Sequence, residues 1–280
     1  MEGSLLPRKL FCQLSPAAYR LAIRKNVLRR KVQDALARTP FALTRSAAPL
    51  EHRVYTARSL IRRTLGSVDM RLQDNKAQNL ALAAPKVDGV LIRPGEVFSF
   101  WRLVGPVRAA DGYLPGLTVS CDSLGEGVGG GMCQFTNLLH WLVLHSPLTV
   151  VERHHHAQDL FPDHGRQVPF GIGTSIFYNY LDFRFRNDTD DTYQILVHSD
   201  GTYLCGELRC SAAQPCAVHI RTEGERFVRE ADGAVYRCGT VVRRFIDKRT
   251  GLETASDVVQ VNYARVVYDV SGLDVQTAAP

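Results

Sequence analysis

Two periods of hydrophobic and polar residues divide the chain. Behind Ser15-Pro16, apolar residues recur at roughly helical spacing as far as Leu36, and a Ser followed by Pro is a common start of a helix. In residues 181–186 the period falls to two, and strands at 193–198 and 203–208 are expected on either side of a hairpin turn at Asp200-Gly201. The pattern therefore predicts an N-terminal helix and, later in the chain, antiparallel strands.

The middle of the chain combines short strands with two helices. A helix is expected from Lys76 to Ala84, capped by Asp74-Asn75 and stopped by Pro85. Residues 125–131 contain five glycines and are predicted to form a flexible loop, from which an apolar helix leads to Leu144. Short strands are expected at 90–92, 97–100 and 148–153.

These elements predict an α+β fold. The body should be mostly antiparallel β, with the glycine loop and a cysteine-containing helix inserted into it, and a basic helical arm should precede it. We expect three parts, which are an arm over residues 1–70, a core over 71–212 and a β-rich extension over 213–280 that packs on the core.

Charge is distributed unevenly between these parts. The 280 residues are 45% hydrophobic, which excludes a wholly disordered chain, and the net charge is +6. Residues 1–63 carry 14 of the 34 Lys and Arg residues but three of the 28 Asp and Glu residues, a net charge of +11. The rest of the chain is therefore at −5, and we expect no nucleic-acid partner for this mildly acidic body.

The basic arm allows two interpretations. Its helix either lies on an anionic membrane surface or packs on the body with a solvated basic face. The opening residues lack the apolar core of a secretory signal, and no run of 18 apolar residues occurs. We therefore expect a cytoplasmic protein, with peripheral contact to the inner membrane face as the open alternative.

One of the seven cysteines has a context that points to chemistry. An odd number of cysteines without a CxxC pair argues against a disulfide framework and against a zinc finger. Cys133 follows the glycines at the first turn of a helix, where the dipole and the unpaired N–H groups favour thiolate. Its own N–H and the amide of Gln134 would form an oxyanion hole. A buried, inert helix-start cysteine is the alternative interpretation.

A histidine cluster follows about twenty residues later along the chain. A base taken from His154, His155 or His156 would complete a Cys–His pair for acyl transfer. Alternatively, His154 and His156 would bind a metal with Cys133 or Asp159, since residues two apart on a strand share a face. Nucleotide-binding fingerprints are missing from the sequence, and we expect no cofactor.

Several stretches in one order resemble the VanW family. They are RPGEVFSFWRLV at 93–104, GGGMCQ at 129–134, LHSPLT at 144–149 and the ER-x-x-H pattern at 152–156. The resemblance is strong over residues 73–210 and weaker to about residue 268. The family takes its name from an accessory protein of vancomycin-resistance gene clusters, and the resemblance implies no defined biochemical role.

The resemblance narrows the choice of site residues. The family pattern retains the third histidine, which favours a Cys133–His156 pair and disfavours a metal site. Many members carry an acid where this chain has residues 173–176, and if that acid orients the histidine in those members, this chain must use another residue. Asp182, which matches a family Asp, is the first candidate; Asp159 and Asp163 are the others.

The remaining motif residues are candidates for substrate binding. Glu152 and Arg153 would form either a structural ion pair or a clamp for a substrate carboxylate, since Arg suits bidentate carboxylate recognition. The other candidates are Gly129, Gly130, Gly131 and Asn137.

The function predicted from the sequence is cysteine-dependent hydrolysis or transfer of an acyl group. The substrate would be a small molecule, peptide or amino-acid conjugate, related to cell-wall precursors if the resemblance extends to function. Two alternatives stay open, which are a non-catalytic module that binds an anionic peptide or carboxylate, and a metal-supported accessory protein. The sequence leaves the oligomeric state open.

Overall fold

The computed structural model of the protein describes residues 14–63, 69–120, 123–163, 168–178 and 180–277. In these ranges the helices are α1 (Pro16–Leu36), α2 (Met70–Val87), α3 (Phe100–Val104) and α4 (Met132–Leu144), with a 3-10 turn at Ala109–Asp111. The first seven strands are β1 (His52–Leu60), β2 (Val90–Ile92), β3 (Val97–Ser99), β4 (Pro115–Ser120), β5 (Ser123–Val128), β6 (Thr149–Glu152) and β7 (Gln158–Asp159). The later strands are β8 (Arg184–Arg186), β9 (Tyr193–Ser199), β10 (Tyr203–Cys210), β11 (Cys216–Arg229), β12 (Val235–Asp247), β13 (Glu253–Val266) and β14 (Val275–Thr277). The opening residues, for which no secretory signal is expected, lie outside the described ranges, as do Cys12 and Cys121.

A four-stranded antiparallel sheet carries the core. Its strand order is β1-β10-β9-β2, and helices α2 and α4 pack on it. Burial of apolar side chains between helices and sheet is the main stabilising contribution to the core. Strand β1 belongs to this sheet although it lies within the predicted arm, so residues 52–60 are structurally part of the body. Large side chains with almost no exposed surface include Leu80, Phe135, Leu139, Leu142 and Tyr193.

The C-terminal residues form a second, longer sheet. Its order is β14-β11-β12-β13-β7, in which β11, β12 and β13 form an antiparallel meander. The short strand β7 comes from the core and pairs in parallel with β13. The extension is therefore joined to the core through backbone hydrogen bonds, and the α+β class with a β-rich body is confirmed.

The helix that the sequence places from Lys76 to Ala84 is longer in the structure, and both predicted ends were wrong. Helix α2 begins at Met70, behind the cap Asp69, whose carboxylate accepts from the N–H of Arg71 at 2.8 Å. It continues past Pro85 to Val87. Pro85 has no N–H to donate within the helix, but the last turn still closes through the N–H of Asp88, which reaches the carbonyl of Ala84 at 3.0 Å.

The glycine-rich segment also differs from its prediction. Residues 123–128 are not a loop but strand β5, which pairs with β4 in a two-stranded hairpin. The turn is confined to residues 129–131, immediately before α4. Glycine is depleted in strands but not excluded, and here the hairpin partner supplies the backbone hydrogen bonds.

Helix α1 lies on the body through charged contacts. Ser15 caps it as predicted, its hydroxyl accepting from the N–H of Ala18 at 3.1 Å. Arg30 donates to both carboxylate oxygens of Glu152, at 2.6 and 2.8 Å. Among the described residues, none of the helices has the length and apolarity needed to cross a membrane.

Candidate functional site

The turn before α4 is built from close backbone approaches. Gly131 caps the helix with φ +109°, in the region that L side chains rarely adopt. A Cβ on Gly131 would lie 2.4 Å from Cγ of Lys76, and one on Gly130 would lie 2.3 Å from the backbone carbon of Gly116. Asn79 holds the turn by donating to the carbonyl of Gly130 at 2.9 Å. Close packing therefore requires glycine at positions 130 and 131.

Cys133 occupies the first turn of α4, as predicted, and lies in the wall of a large cleft. The cleft has a volume of about 2120 Å³ and is bounded by the core, by α1 and by the C-terminal sheet. The structure brings the cysteine and the third histidine to this same cavity. The predicted site residues that line it are Gly129, Gly130, Gly131, Cys133, Gln134, Asn137, His155, His156 and Asp159.

The electrostatic environment of Cys133 differs from the expectation of a stabilised thiolate. Burial raises the pKa of the Cys133 thiol, and backbone hydrogen bonds from Ile176 and from Cys133 itself offset only part of this effect. Desolvation disfavours the charged form, and at this site it outweighs the helix start. Cys133 is therefore a thiol at rest, and nucleophilic attack would require a base.

Gln134 does not form the oxyanion hole that the sequence predicts. Its amide nitrogen donates to the Ser59 hydroxyl and to the Leu60 carbonyl, both at 2.8 Å. Both of its N–H groups are therefore used to hold β1 against α4, and the side chain has no donor left for a substrate.

Asn137 is better placed than Gln134 to donate a hydrogen bond to a substrate oxygen. It lies one turn after Cys133, and its amide oxygen accepts from the N–H of Thr174 at 2.6 Å. Its amide nitrogen has no hydrogen-bond partner among the described residues, and the side chain is exposed to the cleft. Thr174 therefore holds the amide oxygen of Asn137, and the amide nitrogen is available to donate to a ligand.

Lys76 is a cleft residue that the sequence reasoning missed. It is buried, and its ammonium donates to Gln73 Oε1 at 2.6 Å, with no carboxylate partner among the described residues. Burial, together with the charges of Arg63 and Arg62, lowers the pKa of Lys76 to about 7. A lysine that is neutral for part of the time near neutral pH is a candidate base or nucleophile. The burial of Lys76 could not be predicted, because a polar residue on a helix is normally expected to be exposed.

The acid that the sequence puts first, Asp182, does not belong to the cleft. It is buried and accepts hydrogen bonds from the Ser99 hydroxyl at 2.5 Å and from Arg184 Nε at 2.8 Å. The N–H groups of Trp101 and Phe183 occupy its other oxygen. These contacts give Asp182 a structural role at the start of α3, and orientation of His156 is not among them.

Asp159 and Asp163 meet at Arg237. The Asp159 carboxylate accepts from the Tyr268 hydroxyl at 2.8 Å and lies 3.4 Å from Arg237, while Asp163 also pairs with Arg237. Asp159 is buried and lines the cleft together with His156. Of the three acids named from the sequence, Asp159 is the one that the fold places in the cavity.

Glu152 and Arg153 do not pair with each other in the described structure. Burial opposes ionisation of Glu152, but hydrogen bonds from Arg30, the N–H of Asp182 and His154 outweigh it, so the pKa of Glu152 is lowered. Arg153 donates to the Gly171 carbonyl at 3.1 Å and to Gln260. Glu152 therefore anchors α1, and Arg153 joins the loop around residue 171 to β13.

The other two histidines of the cluster diverge. His154 Nε2 lies 3.1 Å from Glu152, outside the cleft lining, whereas His155 lines the cleft. Within the described ranges, no group of three His, Cys, Asp or Glu side chains is arranged to hold a metal ion.

His140 supports another face of α4 and was also missed by the sequence reasoning. It is buried, and its Nδ1 lies 2.7 Å from the carbonyl of Ile172. Burial lowers the pKa of His140 to about 3, so the ring is neutral and donates to that carbonyl. It fixes the segment that carries Thr174 and Ile176 against the helix of Cys133.

The fold and the site define an α+β protein with a helix-start cysteine in the wall of a large cleft. Residues 75–209 match the family described as VanW like protein, and this range holds Lys76, Cys133 and His156. The chain is 38% identical over 212 residues to the vancomycin B-type resistance protein VanW of Enterococcus faecalis, covering 75% of this chain and 76% of that protein. The chain belongs to the VanW family, which confirms the resemblance seen in the sequence.

A second relative is more distant. The uncharacterized protein YoaR of Bacillus subtilis is 32% identical over 113 residues, which cover 40% of this chain and 36% of that protein. No solved structure matches the chain.

Proposed function

We propose that this protein is a cysteine-dependent acyl hydrolase or transferase, with Cys133 as nucleophile and His156 as base. The observation that carries the proposal is the position of Cys133, at the first turn of α4 in the wall of a cleft that His156 also lines. A Cys–His pair is the smallest arrangement that supports acyl transfer through a thioester.

The reaction would proceed in two stages. His156 accepts the thiol proton as the sulfur of Cys133 bonds to the substrate carbonyl carbon. The tetrahedral intermediate then collapses to a thioester, and the imidazolium donates the proton to the departing amine or alcohol. Water, or an acceptor amine, attacks the thioester next and regenerates the thiol. The raised pKa of Cys133 makes the base necessary.

The negative charge that develops on the carbonyl oxygen must be stabilised by a hydrogen-bond donor. The Gln134 side chain is committed to β1, so we assign this task to the amide nitrogen of Asn137 together with backbone N–H groups at the start of α4. Asn137 lies on the same face of the helix as Cys133, and Thr174 fixes its orientation through the amide oxygen.

The substrate class is inferred from the cleft and from the relative. Arg58, Arg62 and Arg63 line one side of the cleft, and although Arg62 also pairs with Asp74 at 2.6 Å, their positive charge suits an anionic ligand such as a carboxylate. The relative's name links it to vancomycin resistance, and we propose a peptide or amino-acid conjugate related to cell-wall precursors.

Selective alkylation tests the pair. Iodoacetamide modification of each cysteine is followed by mass spectrometry at pH 7. Cys133 should react faster than the half-buried Cys205 and Cys216, and His156→Ala should slow it by about tenfold or more. His155→Ala is the matched control, because His155 lines the same cleft and its loss should leave the rate unchanged. Equal labelling of the three thiols, or an unchanged rate in His156→Ala, would contradict the pair.

A binding module is the second candidate. The observation that favours it is the raised pKa of Cys133, which is what an inert, buried thiol would show. In that case the cleft would hold an anionic peptide carboxylate at the glycine turn, and Cys133→Ser would bind such peptides as well as the unaltered protein. Loss of product formation with retained binding in Cys133→Ser would instead support the enzyme.

A further inference from the structure

One side of α1 is apolar and exposed. Leu21, Leu28 and Val32 lie along the same side of the helix, and the exposed Leu14 precedes its cap, Ser15. The exposed fractions are 58%, 63% and 48% in the helix and 61% for Leu14. A contiguous apolar stripe on a protein surface marks an interaction site more often than isolated exposed residues do.

The opposite side of α1 already provides its attachment to the body. Arg30 pairs with Glu152, and Asp34 pairs with Arg184 at 2.7 and 2.9 Å. The half-buried Ile23 lies on this inner side and lines the cleft. Packing on the body therefore uses a different face and does not account for the exposed leucines.

Basic side chains border the stripe on both sides. Lys25 and Arg29 lie along one edge, and Arg24 and Lys31 lie along the other, as follows from their spacing along the helix. All four are exposed, and none forms an ion pair with a described residue. Apolar side chains between two basic edges suit contact with an anionic lipid interface.

We propose that α1 docks this face on an anionic phospholipid membrane, with the helix axis parallel to the surface. The leucines would enter the boundary between headgroups and acyl chains, and the basic edges would contact the headgroups. A second copy of the chain fits less well, because symmetric pairing of two such stripes would bring like charges together along both edges. The proposal does not depend on the chemistry at Cys133.

Vesicle sedimentation of the full chain tests the proposal. The probes are vesicles of phosphatidylglycerol mixed with phosphatidylcholine, and vesicles of phosphatidylcholine alone. We expect binding to the first kind, reduced by added salt, and little binding to the second. Leu21→Gln/Leu28→Gln should weaken binding by about tenfold or more, because it removes apolar area from the interface. Arg24→Gln/Lys25→Gln should weaken it by a similar factor.

Leu252→Gln/Val258→Gln is the matched control. Both residues are exposed apolar side chains, at 67% and 60%, in the C-terminal part of the chain, and their replacement should leave vesicle binding unchanged. Equal binding by the leucine variant and the unaltered protein would overturn the proposal, as would equal binding to both kinds of vesicle. A dimer in light scattering that the leucine variant dissociates would overturn it too, because the stripe would then belong to a second copy.

Discussion

Lys76 packs directly across the N-cap of α4, so that the Cβ which Gly131 lacks would fall 2.4 Å from the lysine Cγ. This contact joins a buried cation on α2 to the turn that presents Cys133. Gly131 and Lys76 therefore form a single packing unit, and a substitution at either residue should change the stability effect of a substitution at the other.

The packing unit predicts a coupled effect of substitution. Gly131→Ala should destabilise the protein by about 2–4 kcal/mol, because the new Cβ meets Lys76 and the φ of +109° is strained for alanine. Combining it with Lys76→Ala should cost less than the sum of the two single changes. Gly95→Ala, with φ +78° and nothing within 4 Å of its Cβ, is the control and should show the backbone effect alone. Urea unfolding measures all four variants; strict additivity would exclude the contact.

The buried lysine predicts a rise of stability with pH. In the unfolded chain Lys76 stays protonated up to its ordinary pKa of 10.5, whereas in the folded chain it releases the proton above about 7. Its contribution to the free energy of unfolding should therefore increase between these values, by about 1.4 kcal/mol per pH unit at most. Lys76→Met should remove that slope and stabilise the protein at pH 7. Lys248→Met, at an exposed site, should do neither; an unchanged slope in Lys76→Met would refute the prediction.

His140 predicts the behaviour in acid. The ring binds a proton near pH 6.5 when unfolded but only near pH 3 when folded, so stability should fall as the pH drops from 6.5 toward 3. His145, with its pKa lowered by burial to about 4, should add to the loss. His140→Gln should therefore reduce the difference in the free energy of unfolding between pH 7 and pH 4, measured by urea titration. His198→Gln serves as the exposed comparison, and an identical pH dependence in both variants would count against the assignment.

The carboxylate of Asp182 predicts a large structural cost. Asp182→Ala removes the acceptor of the Ser99 hydroxyl, of two backbone N–H groups and of Arg184 Nε, and about 3–5 kcal/mol of stability should be lost although Asp34 still pairs with Arg184. Asp188→Ala, which breaks an exposed pair with Arg186, should have a much smaller effect. Thermal unfolding compares the two. If Asp182→Ala folds with normal stability and instead changes the pH profile of Cys133 alkylation, the role predicted from the sequence would be restored.

Local signals carried most of what the sequence predicted correctly. The Ser15 cap, the helix start at Cys133 and the hairpin at Asp200-Gly201 depend on neighbouring residues, and the structure contains all three. The predicted loop at the glycine segment was wrong because residues 123–128 pair with β4 as a strand. The glycine content of the segment does not indicate that pairing.

Tertiary contacts explain what the sequence could not predict. Whether an amide such as Gln134 is free for a substrate depends on Ser59, which lies 75 positions earlier in the chain. The burial that shifts the pKa of Lys76 arises in part from the turn before α4, again far along the chain. Such long-range partners leave no periodic trace in a single sequence.

Strand β7 makes the cavity depend on residues outside the matched range 75–209. Its two residues pair with β13, and Asp159 within it reaches Arg237 and Tyr268, both beyond the matched range 75–209. Transplanting the matched segment alone would move the cysteine and its helix but would leave behind the wall formed by residues 260–264 and the partners of Asp159. The recognisable motif and the complete cavity therefore have different boundaries, and the cavity is the larger unit.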